Sequence, residues 1–275
     1  MANAPKPIAV KKESSGSNIF ASLSIVICLI IAFLLWKYVM GNATNFEGGD
    51  PENGHPLPGN YFGMVYKGGY VVPVLMGLLL MVIVFSFERF FVINKAAGTG
   101  NVDAFVGKVR GFLSSGNIDA AMAECDKQQG SVANVIKSGL KKYKEVEADT
   151  NVDTEQAVLA IQKDIEEATA LEMPMLEQNL TVIATLVSIG TLMGLLGTVT
   201  GMIKAFAALS TAGSPDQAAL ANGISEALIN TATGILTSTI AIIMYNIFTS
   251  KIDKLTYSID EAGFSIIQTY ASTHK

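Results

Sequence analysis

Four long apolar stretches punctuate this chain, and the polar sequence between them is very unevenly divided. From Ile19 to Met40 almost every position is apolar, enough to cross a hydrocarbon core of ~30 Å at ~1.5 Å per residue. A second run covers 70–93 and closes on Glu88, Arg89 and Lys95; Pro73 falls in its first turn, where a missing N–H costs little. The third and fourth runs, 179–208 and 218–249, are rich in Gly, Thr and Ala. Runs of this length predict four transmembrane helices and an all-α membrane protein.

The intervals predict the rest. Residues 1–18 are polar, with Pro5, Pro7, Lys6, Lys11 and Lys12, and read as a flexible tail. With the run after them they have the outline of a signal peptide, but the run exceeds a usual h-region, so a retained anchor is the expectation. Trp36 and Tyr38 stand at a belt position. Residues 41–69 mix Gly, Pro, Asn and acids, which predicts an irregular extracytoplasmic loop.

Residues 94–178 are charged with helical periodicity. Val102–Leu113, Ile118–Gln128 and Val132–Tyr143 alternate with Gly-containing turns, as short packed helices do. Asp153, with Gln156 three positions on, predicts an N-cap. Beyond it only Pro174 interrupts the pattern before Ala208, so one kinked helix of roughly 80 Å is expected to leave the bilayer as a stalk. In the connection 209–217, Ser214 and Pro215 are placed as N-cap and N1 of the last helix. Residues 250–275 read as a polar tail with Ile252, Leu255 and Ile259 on one face.

Basic residues fix the expected orientation. The N-terminal tail, the 94–178 region and the 250–275 tail carry lysine or arginine, whereas the 41–69 loop has only Lys67 and the 209–217 loop none. Both termini and the large helical domain are therefore expected in the cytoplasm.

Composition narrows the function classes. Half of the residues are hydrophobic and only 16% charged, and the net charge of -5 has no basic stripe, which excludes nucleic-acid binding. Cys28 and Cys125 fit no metal-ligand spacing and read as free thiols. Asp164, Glu166 and Glu167 make a solvated helical face, and no nucleophile and base pair stands out. No enzyme, cofactor or metal is expected.

The chemistry lies in the last two runs. The third has Gly190-x3-Gly194 and Gly197-x3-Gly201, spacings that let helix backbones approach closely. It also carries Thr181, Thr185, Ser188, Thr191 and Thr198 near one face; most read as bonding their own i−4 carbonyls. In the fourth, Asn222, Glu226, Asn230, Thr233 and Thr237 fall within about 40° of one direction. Such a stripe is costly against lipid, so it faces another helix, a second protein or a water-filled lumen. Lys204 is the nearest cation but has the cheaper option of snorkelling to the interface. An unpaired carboxylate at that depth is what a proton relay needs.

Leu195-Leu196-Gly197-Thr198-Val199-x-Gly201 followed by Gly223-Ile224-x-Glu226-Ala227-Leu228-x-x-Thr231-Ala232-x-Gly234 resembles the signature of the MotA/TolQ/ExbB proton-channel proteins, most of all ExbB and TolQ. Thr200 stands where the relatives usually have Trp, Asn230 replaces a small apolar residue, and the first span is additional. The resemblance implies a pentameric ring in the bacterial inner membrane around the single helices of an ExbD- or TolR-like partner with a membrane aspartate. A TonB-like transducer would carry the energy to outer-membrane transport. It implies polar lumen roles for Thr198, Glu226 and Thr231, with Asn222, Asn230, Thr233 and Thr185 as further lining candidates from geometry. Thr231 lies about 140° around the helix from Glu226. A TolQ-like or gliding motor and a non-conducting scaffold remain the alternatives.

Overall fold

The computed structural model describes residues 15–52, 54–149, 152–210 and 217–274. Among them the chain is all-helical, with α1 (Ser15–Leu34), α2 (Tyr61–Tyr66), α3 (Val71–Ala97), α4 (Val102–Ser114), α5 (Ile118–Gln128), α6 (Gly130–Ala148), α7 (Thr154–Glu177), α8 (Leu180–Leu209) and α9 (Gln217–Thr273). Four helical segments are long and apolar enough to cross a membrane. The chain divides into two compact units, one of residues through Val84 with Ser188–Ser238, the other of Phe85–Val187 with Thr239 onward. The N-terminal tail to residue 14 and the expected Ser214–Pro215 cap lie outside the described residues.

In the first unit, among the described side chains, Ser24, Cys28 and Ala32 of α1 and Trp36 just after it are buried, one residue per turn. Leu23, Val26, Ile27, Ile30, Ile31 and Phe33 are exposed, as on a helix wetted by lipid. A π-helical turn, Leu35–Met40, follows α1. Trp36 is not an interfacial anchor: it is buried, with its ring stacked 4.7 Å from Tyr66 and tilted 5.6 Å from Tyr70. The loop expected to be irregular is knitted to the end of the first span by Asn45. Its amide donates to the carbonyls of Val39 and Met40, both at 2.9 Å, and accepts from Asn60 Nδ2 at 3.0 Å. Asn60 in turn caps α2 through the Gly63 N–H, so one buried amide network satisfies a helix end at each side of the loop.

In the second unit α4, α5 and α6 match the three short helices read from the periodicity, with Asn101 and Asn117 capping the first two through side-chain oxygens. Val132, Val135, Ile136, Leu140 and Tyr143 of α6 and Ala157, Ile161 and Ile165 of α7 are buried. So are Ile252, Leu255, Ile259 and Ile266 of α9, and Tyr143 meets Tyr270 edge-on at 4.9 Å. Residues 250–273 therefore continue α9, with the amphipathic face expected of the polar tail. Its three- and four-residue apolar spacing is that of a helix with one buried face.

The single kinked helix expected from Asp153 to Ala208 is two helices. The chain stays helical through Pro174, then breaks at Gln178 and at Asn179, whose φ is 62°. Left-handed backbone is tolerated by asparagine better than by most residues. Arg89 satisfies the carbonyls left open at the end of α7: its Nη1 donates to the Met175 and Leu176 oxygens at 3.0 and 3.2 Å. Arg89 is 1% exposed and pairs with Glu88, whose Oε2 also accepts from Asn179 Nδ2 at 3.3 Å. A buried cation held by carboxylate and carbonyls is a costly feature that fixes one geometry.

Candidate functional site

The site starts from how closely α8 and α9 approach within the first unit. A Cβ at Gly234 would lie 2.6 Å from the Gly190 carbonyl oxygen and 2.8 Å from Gly194 Cα. At Gly201 it would meet the Ala227 nitrogen and the Gly223 oxygen, each at 2.8 Å, and at Gly197 the Asn230 amide, with Cγ at 2.6 Å. Gly190 lies beside the Ser238 hydroxyl. The four predicted packing glycines of α8 thus form one seam that admits the polar side chains of α9 where larger residues would exclude them.

That seam decides what the polar stripe faces. Glu226, Asn230 and Thr237 are buried, Asn222 and Thr233 half-buried. Within the single chain the stripe meets the neighbouring helix and the turn before α3. Asn230, fully buried, donates from Nδ2 to the Gly68 carbonyl at 2.9 Å. The Glu226 carboxylate lies against Gly69, whose φ of +76° favours glycine, and a Cβ there would sit 2.8 Å from Glu226 Cδ. Gly69 meets both demands at once, of conformation and of space.

Glu226 is not without a cation. Lys204 Nζ, from the last turns of α8, lies 2.6 Å from Glu226 Oε1. The carboxylate side chain is 10% exposed and the lysine side chain 55%, so the ammonium reaches in from an exposed position. Snorkelling away, the arrangement expected from the sequence, gives way to pairing because desolvating a lone carboxylate costs more than bending a flexible stem.

The hydroxyls follow two patterns. Thr198 and Thr231 meet across the helix pair, and each also lies 3.2 Å from its own i−4 carbonyl, Gly194 and Ala227. Thr185, exposed, bonds the Thr181 carbonyl in the second unit, and Thr233 and Thr237 bond the Ile229 and Thr233 carbonyls. Local back-bonding is the common state, as expected, and Thr198–Thr231 is a cross-helix exception. The 140° between Thr231 and Glu226 has a simple resolution: Thr231 meets α8 while Asn230 and Glu226 face the Gly68–Gly69 turn.

Residues 127–261 match the sequence profile described as the MotA/TolQ/ExbB proton channel family. This region belongs to that family. It contains α8 and the part of α9 that forms the seam, with Thr198, Glu226 and Thr231. The chain is similar to the Tol-Pal system protein TolQ of Pseudomonas aeruginosa, 26% identical over 70% of this chain and 84% of that protein. It is also similar to an ExbB homologue of Methanothermobacter thermautotrophicus, 25% identical over 70% of this chain and 66% of the relative. A biopolymer transport protein ExbB-like 3 of Synechocystis is 32% identical over 40% and 53% respectively. The chain thus spans under two thirds of the length of the latter two, and the relatives divide between the TolQ and ExbB branches of the family.

Gly68, Gly69 and Lys204 of the site, and Arg89 of the second unit, carry unequal signals in the sequence. The Gly68–Gly69 pair carries a sequence signal, two adjacent glycines directly before an apolar run, which reads as a turn but says nothing of what the turn approaches. Lys204 was visible as the nearest cation. Arg89 had the one signal of a charge at the end of a span, which ordinarily marks an interface.

Proposed function

We propose that this chain is the ring-forming proton-channel subunit of an inner-membrane motor, in which proton movement past Glu226 drives motion of a partner complex. The observation that carries the reading is Glu226 itself: a carboxylate 7% exposed on the polar stripe of a membrane-length helix, inside the region shared with a proton channel family. Ionisable groups at such depth mark ion pathways. In this reading five copies surround the single helices of an ExbD- or TolR-like subunit whose membrane aspartate exchanges protons with the ring. Thr198 and Thr231 line the path, Asn222, Asn230, Thr233 and Thr185 are secondary polar positions, and residues 94–178 and 250–275 lie in the cytoplasm.

The work is delivered through a TonB-like transducer to outer-membrane active transport, as in ExbB systems. Similarity to the Pseudomonas TolQ favours a second reading, a motor for envelope maintenance. A deletion strain separates them. Loss of uptake of a scarce iron carrier with an intact envelope supports the ExbB-like role. Normal uptake with detergent sensitivity supports the TolQ-like role, and a strain normal in both contradicts the motor.

A further inference from the structure

Resting on that reading, we propose that Lys204 is a specificity-determining residue, a tethered cation occupying the place beside Glu226 that a sodium ion needs, so that the site exchanges protons and refuses sodium.

A sodium site needs several oxygen ligands converging on one point, typically a carboxylate with freed backbone carbonyls. Two of the oxygens brought together here hold nitrogen donors of the chain itself, and the buried Asn230 Oδ1 is left without a partner. Glu226 Oε1 takes Lys204 Nζ at 2.6 Å, and the Gly68 carbonyl takes Asn230 Nδ2 at 2.9 Å. The Thr198 and Thr231 hydroxyls are engaged with each other and with the Gly194 and Ala227 carbonyls. Gly69, lacking a side chain, backs the carboxylate with main chain and adds no side-chain ligand. Lys67, the other cation near this turn, donates to the Glu52 carbonyl at 2.9 Å and lies over the Phe46 ring, which leaves Lys204 as the counter-ion.

The two ions therefore meet different obstacles. Sodium must either add a second positive charge beside the paired ammonium or displace it from a carboxylate that is still charged, in a poorly solvated place. A proton instead binds the carboxylate, removes its negative charge and releases the ammonium, whose side chain is already half-exposed and long enough to swing into solvent. Deprotonation draws it back. Lys204 thus compensates the charge in one protonation state and leaves in the other.

Vesicles containing the full-length chain with its single-span partner, loaded to follow proton and radioactive sodium flux separately, test this. Wild type and Lys204→Arg are expected to carry protons under an imposed gradient and sodium no faster than protein-free vesicles. Lys204→Gln is expected to raise sodium entry by about tenfold, equivalent to ~1.4 kcal/mol, with Lys204→Met as a second neutral variant should the first not assemble. Sodium flux in wild type, or sodium refusal retained in both assembled neutral variants, overturns the proposal while leaving the motor standing. Absence of any ion flux in wild type overturns the motor reading and this one with it.

Discussion

The same substitution, glycine to alanine, is expected to act with opposite sign at two helical positions. At Gly234 the new Cβ would stand 2.6 Å from the Gly190 oxygen, where ordinary contact begins near 3.4 Å. The obstacle is backbone on both sides, Gly190 and Gly194, so α8 and α9 must separate by about 0.8 Å at their closest point, and such overpacking costs about 1–3 kcal/mol. The gain in helix propensity returns up to about 1 kcal/mol, leaving a net loss of roughly 0–2 kcal/mol. Gly107, exposed in α4, has nothing within 4 Å of its Cβ position; there alanine is expected to stabilise by about 0.5–1 kcal/mol. Denaturant titration of the purified protein in one detergent, followed by circular dichroism, reads both. A Gly234→Ala protein stabilised as much as Gly107→Ala would refute the close-packed seam, and with it the reason that Asn230 and Glu226 have room inside.

Other outcomes follow from single side chains. Arg89→Ala leaves Glu88 and the α7 carbonyls without their cation, and breaking a buried pair of this kind is expected to cost about 3–5 kcal/mol in the same titration; a loss under about 1 kcal/mol contradicts the capping role. Burial pushes the Cys125 thiol up to about 12. At pH 8 it is expected to react with maleimide only on unfolding. Because the unfolded thiol ionises first, its contribution to stability is present below about pH 9 and is lost as pH rises toward 12.

What could be read from residues alone has a physical boundary. The four spans were legible because the length of an apolar run is local, and the 3.6-residue period gave α4, α5 and α6 for the same reason. The stripe on α9 was legible as a direction, since one helix's geometry fixes which side chains share a face. Which surface it meets was not, because Gly68 lies 162 positions from Asn230. The break after α7 was hidden likewise: Pro174 marks a weak point, but the chain turns at Asn179, which is held by Glu88, 91 positions away. Lys204 shows how magnitudes mislead when one partner is weighed alone. Snorkelling is the cheaper choice for the lysine, but pairing is the cheaper choice for the lysine and Glu226 together.

The central claim is that protons pass by way of Glu226, and Glu226→Gln tests it with least disturbance of shape. Proton flux through vesicles holding the assembled complex is expected to fall to the protein-free level in the variant, with the oligomer unchanged by native mass spectrometry. Flux at the wild-type rate through an assembled Glu226→Gln complex would contradict the account.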